Sequence, residues 1–286
     1  MDQLAIALLL VAALLHSAWH ALIKTAGDRL VGLAGMNIVS TGVSLALLPL
    51  VSIPEVAVWP VLLFSVVLHN LYKVGLAQVY RHGDLSQAYP IARGLSPLFA
   101  TLIAWGVLGE VLVVGQLAGV GLVSIGLITI GLERRNSTPS PALLTSAGLT
   151  GLLVAAYSVV DAYGTRVSGD WVSYAVWLVA MDGVAFVAMM SHLRGRILWM
   201  IVGREWRRTL ISGLLGVGAF GVFLWALSRG AVGGVAALRE TSVLFASLIG
   251  IFVLKEHGSL ARFFGAVLIT AGIILFAAHV GGSIRH

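Results

Sequence analysis

The chain has 286 residues, of which 59% are hydrophobic and 10% are charged, and its formal net charge is +6. A soluble domain needs about a quarter of its residues charged, so this composition excludes one and indicates a surface in contact with lipid. We interpret the positive excess as loop arginines that orient a membrane protein, with no nucleic-acid partner. The absence of cysteine excludes disulfides and thiolate metal sites.

The hydrophobic segments predict ten membrane helices. The first segment carries Asp2 where a signal peptide has a basic residue and lacks a clear cleavage site, so it is predicted to be retained. Each bilayer crossing needs about 20 apolar residues. The predicted spans are 4–22, 31–51, 57–79, 86–108, 112–132, 143–163, 172–191, 209–227, 231–253 and 260–279. The basic, aromatic stretch 191–208 is predicted to lie along the headgroups.

The two halves of the chain are predicted to be copies of each other. Residues 93–128 and 239–274 share 14 identities in 36 ungapped positions, whereas composition alone accounts for about a tenth. The predicted domains are a five-helix repeat at 1–132, a linker at 133–142 and a second five-helix repeat at 143–286. Because five crossings are an odd number, the repeats are inverted, which places a site near the midplane between them.

Lysine and arginine in the loops predict the orientation. Connections after odd-numbered spans hold eleven, from Lys24 to Lys255, and the opposite side holds Arg166, Arg229 and Arg285. The positive-inside rule therefore predicts that both termini lie outside.

Ionisable side chains lie inside the predicted spans, where one charge at a helix centre costs about 2.5–3.5 kcal/mol. We expect them to face water or each other: His16, His20, His69, Lys73, Arg93, Asp161, Asp182, Arg239 and Glu240. Four pairs with i,i+4 spacing each share one helix face: His16 with His20, His69 with Lys73, Tyr89 with Arg93, and Tyr157 with Asp161. This pattern indicates a cavity. Its Arg-rich end is predicted to be mainly basic and its other end mainly acidic.

The fourth span is predicted to be bent or locally unwound near Arg93, because Pro90 and Pro97 cannot donate backbone hydrogen bonds. In the ninth span, the glycine pair 233–234 precedes Arg239 and is predicted to soften the helix in the same way. Interrupted segments at corresponding positions of two repeats indicate a substrate site.

Structural explanations stay open for several of these residues. Lys73 has the length to extend to the headgroups. For Arg239 and Glu240, the alternative explanation is an ion pair between helices that has only a structural role. His16 and His20 have the spacing of a metal site, but no third ligand is apparent.

Two further features are given structural roles. Glu110 and Glu256 each sit at a turn beside the next helix, where capping and the helix dipole explain them. The small-residue runs 115–126 and 213–221 are predicted to allow close helix packing.

The chain resembles EamA-type members of the drug/metabolite transporter superfamily in three segments: AYPIARGLSPLFATLIAWGVLGE (88–110), VAALRETSVLFASLIGIFVLKE (235–256) and HSAWHALIK (16–24). The resemblance implies an all-α membrane protein with ten transmembrane helices, arranged as two inverted five-helix repeats around a central cavity. It also implies that the first, third, fourth, sixth, eighth and ninth spans line the cavity, and that small polar metabolites are exported or exchanged. Family members are often drawn with both termini cytoplasmic, which opposes the loop count.

These observations predict a secondary transporter, not an enzyme, in the bacterial cytoplasmic (inner) membrane. It would move a small anionic or zwitterionic metabolite, such as an amino acid, organophosphate or phosphonate, by alternating access, and proton coupling is left open. The chain has no P-loop, so ATP does not drive it directly. The predicted partners are this substrate and the lipid bilayer, with no cofactor and no metal, and the chain is predicted to be a monomer or homodimer.

The residues above are assigned to two groups. The predicted substrate-binding residues are His16, Trp19, His20, His69, Lys73, Tyr89, Arg93, Tyr157 and Arg239. The residues predicted to couple protons or bind a cation are Asp161, Asp182 and Glu240. Three alternatives stay open: an intramembrane enzyme acting on a lipid-like substrate, an exporter of organic cations or drugs, and a non-transporting scaffold or receptor.

Overall fold

The computed structural model describes residues 3–24, 29–82, 85–133, 140–246 and 259–279, and every regular element within these ranges is helical. The helices are α1 (Gln3–Lys24), α2 (Arg29–Leu47), α3 (Trp59–His82), α4 (Leu85–Leu108), α5 (Val114–Gly131), α6 (Pro141–Val167), α7 (Trp171–Arg194), α8 (Arg196–Arg204), α9 (Trp206–Leu227), α10 (Val232–Arg239), α11 (242–246) and α12 (Leu260–Ala278). Two short 3₁₀ turns, Leu48–Leu50 and Val56–Val58, lie between α2 and α3.

Nine helices in the described ranges are long and apolar enough to cross a bilayer, namely α1 to α7, α9 and α12. They correspond to nine of the ten predicted spans. The predicted ninth span, 231–253, contains α10 and α11, and its remainder lies outside the described residues. The all-α membrane fold is therefore confirmed.

Some sequence predictions fall on parts of the chain that the structure does not describe. Residues 134–139 of the predicted linker belong to these parts, and α6 already begins at Pro141, inside the predicted linker range 133–142. Lys255 and Glu256 also lie outside the described residues. The linker, the domain boundaries and the membrane orientation stay predictions.

The helices pack according to a pseudo-two-fold rule that exchanges each span with the span five later. α3 packs on α6, and by the same rule α9, the eighth span, packs on α1. Three helices pack on their own counterparts: α2 on α7, α4 on α10, and α5 on α12. The two halves are therefore related by a pseudo-two-fold axis.

Glycines between α5 and α12 show the direction of this axis. A Cβ atom on Gly119 would lie 2.7 Å from the carbonyl oxygen of Gly272, and one on Gly126 would lie 2.7 Å from that of Gly265. Under the repeat alignment Gly119 corresponds to Gly265 and Gly126 to Gly272, so one contact is a copy of the other. Residue numbers rise along α5 as they fall along α12. The equivalent helices are thus antiparallel, and the repeats are inverted.

The interruption predicted in α4 lies elsewhere. The structure shows α4 as one helix with Pro90 and Pro97 inside it, so the local unwinding predicted near Arg93 is wrong. Each proline removes only one backbone donor, and α4 packs closely on α5, where a Cβ atom on Gly94 would lie 3.0 Å from a carbonyl oxygen. The break occurs in the ninth span, at residues 240–241 between α10 and α11.

The glycine pair predicted to soften the ninth span has a packing role. Gly233 and Gly234 both lie within α10 and are buried. A Cβ atom on Gly233 would collide with Thr101, and one on Gly234 would collide with the ring of Phe276. These glycines therefore let α10 approach α4 and α12 closely, and the ninth span is interrupted directly after Arg239, at residues 240–241.

We expect Gly126→Ala to lower the free energy of unfolding by about 1–3 kcal/mol, because the added methyl group has to displace the α12 backbone. Gly121 on the same helix has open space where its Cβ would be, so Gly121→Ala is the matched control. The control is expected to be neutral or to gain up to about 1 kcal/mol from helix propensity. Unfolding of both variants in detergent measures the difference, and equal effects would contradict the close contact.

Candidate functional site

A cavity of about 160 Å³ lies between the two repeats. One water molecule needs about 10–15 Å³ of such volume, so the cavity holds on the order of ten waters or one small organic molecule. Its wall is formed by α1, α2, α3, α4, α6, α7, α9 and α10. The resemblance implied only six of these spans. α2 and α7 join them because they pack on each other across the axis and contribute Asn37, Ser40 and Asp182.

The structure brings all twelve predicted site residues together. Nine of them line the cavity: His16, Trp19, His20, His69, Lys73, Arg93, Tyr157, Asp182 and Arg239. The other three stand directly behind the wall. The hydroxyl of Tyr89 lies 2.9 Å from Nε2 of His20, whereas Asp161 and Glu240 are completely buried beside basic side chains.

Two arginines, one from each repeat, share the carboxylate of Glu240. Nε of Arg93 lies 2.6 Å from Oε2, and Nε of Arg239 lies 3.6 Å from Oε1. All three residues are at least nine-tenths buried. Two cations beside one carboxylate leave one positive charge uncompensated within this group, and both arginines line the cavity.

The donors of these arginines are incompletely used. The Nε atoms of Arg93 and Arg239 face the carboxylate of Glu240, whereas one terminal nitrogen of each, Nη2, is buried without a hydrogen-bond partner among the described residues. Arg239 donates one long hydrogen bond of 3.4 Å to the hydroxyl of Tyr157, and its guanidinium lies 4.0 Å from the ring centroid of Phe223. Leaving buried donors unused is costly, so this wall favours an anionic group in the cavity.

Asp161 is held behind the wall by donors from α3 and α7. Ser65 donates to Oδ1 at 2.5 Å, Tyr174 donates to the same atom at 3.2 Å, and Nε2 of His69 lies 3.0 Å from Oδ2. His69 stands between this carboxylate and the cavity, with its ring stacked on Tyr157 at 4.1 Å. Asp161 therefore acts on the cavity through His69.

Lys73 joins α3 to α2 and α7. Its ammonium donates to Oδ2 of Asp182 at 2.6 Å and to Oδ1 of Asn37 at 3.0 Å, and it lies 4.5 Å from the ring centroid of Phe186. Asn70 donates to the other oxygen of Asp182 at 2.9 Å. The ammonium is therefore held inside the bundle, and the extension of Lys73 to the headgroups is wrong.

Imidazole and aromatic rings form another part of the wall. Trp19 and His20 stack with ring centroids 3.8 Å apart, and His16 lies 4.7 Å from His20. Nε2 of His16 is buried without a hydrogen-bond partner among the described residues. An imidazole nitrogen donates or accepts according to its tautomer, so this wall offers a ligand either function.

The wall is mainly basic, which corrects the predicted division into a basic and an acidic end. Asp182 is the one carboxylate among the residues that line the cavity, and it is paired with Lys73. Asp161 and Glu240 were expected to form an acidic end. They are instead covered by His69 and by the two arginines, because each buried carboxylate needs these donors.

A polar cluster lies at the face of the molecule where α4 and α6 end. Arg166 at the end of α6 places a terminal nitrogen 2.7 Å from Oε1 of Glu110, which follows α4. Oε2 of Glu110 accepts a hydrogen bond of 2.7 Å from the backbone of Val232, the first residue of α10. Arg166 also donates to the carbonyls of Leu227 and Gly230 between α9 and α10. We call Glu110, Arg166 and the start of α10 the latch.

The latch corrects the role predicted for Glu110. Capping was expected at the next helix, α5, but Glu110 caps α10 of the other repeat. The cause is the pseudo-two-fold packing of α4 on α10, which brings the end of one helix to the start of the other.

Neutral polar residues of the site were missed by the sequence analysis. Asn37 and Ser65 both hold ionised groups, yet each costs little in a membrane helix and gives a weak signal. Spacing offered one: Ser65 continues the stripe of His69 and Lys73 at i,i+4 intervals, and Asn37 with Thr41 forms a similar stripe on α2.

Fold and cavity together define a multi-pass membrane protein with a polar cavity between its two halves. Residues 144–278 match the family model described as the EamA-like transporter family. These residues cover most of the predicted second repeat, and this part of the chain matches a family of the drug/metabolite transporter superfamily. The resemblance seen in the sequence is confirmed.

A comparison with solved structures agrees on the fold. One crystal structure, whose description names no activity, is similar over 99% of this chain and 98% of its own chain, with a TM-score of 0.76 and 19% identity. At that identity the likeness shows the fold alone. No curated protein sequence matches the chain.

Lys73 and Asp182 provide a test of charge pairing at the cavity. We expect Lys73→Met or Asp182→Asn alone to cost about 3–5 kcal/mol of unfolding free energy, because each leaves a buried charge without its partner. The double variant should cost much less than the sum, and unfolding in detergent measures the coupling.

Glu205→Gln is the matched control for this test. It breaks the half-buried pair between Glu205 and Arg208, whose atoms are also 2.7 Å apart, and exposed pairs contribute about 1 kcal/mol or less. If the losses of unfolding free energy in Lys73→Met and Asp182→Asn simply add in the double variant, the pairing is contradicted.

Proposed function

We propose that the protein is a secondary transporter that moves a small polar metabolite with an anionic group across the bacterial cytoplasmic (inner) membrane. Its substrate class is an amino acid, an organophosphate or a phosphonate. The observation that carries the proposal is the group of Arg93, Arg239 and Glu240 at the cavity wall. An anionic substrate would supply the charge and the acceptors that these two arginines lack.

The remaining charges of the wall suit a zwitterion as well as an anion. Asp182 is the carboxylate that faces the cavity, so a substrate ammonium group would share it with Lys73 and Asn70. Asp161 and Glu240 are completely buried, so a coupled proton would affect the substrate through His69 or the arginines. The basic wall disfavours organic cations as substrates. The proposed activity is transport, without enzymatic activity.

A cavity between inverted repeats supports alternating access. The cavity-lining residues of α1, α2 and α3 lie mostly toward the face where α1 and α3 end, whereas those of α9 lie mostly in its second half, toward the other face. The latch lies at this other face, where α4 and α6 end. For the cavity to open toward that face, α4, α6 and α10 have to separate there, which requires the latch to break.

Transport in proteoliposomes tests the anion site. We expect Arg93→Gln and Arg239→Gln each to lower uptake of an anionic substrate about tenfold or more, because a hydrogen bond to a charged group contributes about 1.5–3 kcal/mol. The assay needs a panel of amino acids, organophosphates and phosphonates, and both variants have to remain monodisperse.

Arg262→Gln is the control for this assay. Arg262 on α12 pairs with Glu133, which follows α5, and does not line the cavity, so uptake should stay at the wild-type level. Wild-type uptake in both cavity variants would refute the anion site.

The latch is tested by distance measurements between spin labels. The chain has no cysteine, so cysteines introduced at Val107 on α4 and Val167 on α6, both exposed, carry the two labels. We expect Glu110→Ala to shift the label distances to longer values, because it removes the ion pair and the cap of α10. Glu133→Ala removes an ion pair elsewhere and is the control. An unchanged distance distribution in Glu110→Ala would contradict the role of the latch.

A further inference from the structure

Residues 194–208, around the short helix α8, form a strongly basic surface that the cavity does not use. This stretch holds five arginines and one acidic residue: Arg194, Arg196, Arg204, Arg207 and Arg208 with Glu205. Glu205 pairs with Arg208 at 2.7 Å. Arg196, Arg204 and Arg207 are exposed, so most of the positive charge faces outward.

Large apolar side chains are exposed in the same stretch. Ile197, Trp199 and Met200 of α8 are each more than half exposed, as is Trp206 at the start of α9. Tryptophan is enriched at the boundary between hydrocarbon and headgroups, and an interfacial helix combines such residues with arginine. A binding partner of this surface therefore has to present hydrocarbon next to negative charge.

Helix α8 is fixed to the bundle by Leu198, with Ile201 and Val202 packed against the same cluster. Leu198 is the one buried residue of α8, and it packs in a cluster with Val31 and Leu33 of α2 and with Phe186 of α7. Trp19, a residue of the cavity wall, belongs to the same cluster. The arginines are thus presented by a helix that rests on the transport bundle.

We propose that residues 194–208 form a binding site for the headgroup of an anionic phospholipid. Guanidinium groups bind phosphate oxygens in a bidentate geometry, and clustered basic residues beside a membrane attract anionic headgroups. The exposed Ile197, Trp199 and Met200 lie against the acyl chains of the same lipid. An acidic protein would satisfy the arginines but would leave these apolar side chains without hydrocarbon.

The chain offers a matched control at the other end of α9. Arg207 stacks on Trp206 with 5.4 Å between its guanidinium carbon and the ring centroid, and Arg229 stacks on Trp225 at 5.2 Å. The two pairs have the same chemistry. Arg229 lacks a cluster of exposed arginines around it in the sequence, so it is not expected to form a lipid site.

Lipid titration of the full chain in detergent tests the proposal. Phosphatidylglycerol should raise the Tm in a saturable manner, since a ligand of the folded state stabilises it by mass action. Phosphatidylcholine with the same acyl chains and inorganic phosphate should not. The triple variant Arg196→Gln, Arg204→Gln, Arg207→Gln should need at least tenfold more phosphatidylglycerol for the same shift, whereas Arg229→Gln should respond like the wild type.

A salt series on the unmutated chain makes the test independent of how the triple variant folds. The shift caused by phosphatidylglycerol should fall as sodium chloride rises, because salt screens exposed charges. An equal response to phosphatidylcholine, a wild-type response in the triple variant, or no effect of salt would overturn the proposal. An equal shift with inorganic phosphate would also overturn it, because the site would then be a general anion site.

Discussion

A charge at bilayer depth needs an opposite charge, a donor or water, and this requirement organises the centre of the molecule. Lys73 and Asp182 tie α2, α3 and α7 together, Asp161 ties α6 to α3 and α7, and Glu240 ties α10 to α4. Each carboxylate recruits donors from other helices, so the pairs hold the bundle around the cavity. Because the two arginines share one carboxylate, one positive charge remains uncompensated beside the cavity. This charge is the basis of the proposed substrate class.

Much of the fold is readable from the sequence because bilayer thickness and helix geometry fix the length of a span. The repeat and its inversion follow from the same arithmetic, since five crossings reverse the direction of the second copy. The interruption predicted in α4 is absent from the structure. Prolines are a local signal, whereas the continuity of a helix also depends on its packing. Pro90 and Pro97 lie inside an intact α4. The ninth span breaks after Arg239, where Glu240 is drawn between two guanidinium groups.

The residues that surround the cavity could be identified from the sequence, but not how far each one lies behind the cavity wall. Stripes at i,i+4 spacing identify the helix faces that turn inward, and those faces do surround the cavity. Spacing carries no information on which member of a pair stands in front, so Asp161 and Glu240 were expected at the surface and lie behind it. Nor does it show the cap between Glu110 and Val232, which are 122 residues apart and meet only through the pseudo-two-fold packing.

The glycine contacts between α5 and α12 constrain both halves of the chain at once. Gly119 and Gly265 occupy equivalent positions of the two repeats, as do Gly126 and Gly272, and the Cβ position of each glycine meets the backbone of the other repeat. A side chain added at any of these glycines would meet the backbone of the other repeat, so the two repeats constrain each other where α5 packs on α12. Glu240 is aligned with Gly94, where a Cβ atom would lie only 3.0 Å from a carbonyl oxygen of α5, so the first repeat has no room for a carboxylate at this position. The carboxylate between the two arginines therefore comes from one half only, and the charge of the cavity wall is not symmetric about the pseudo-two-fold axis.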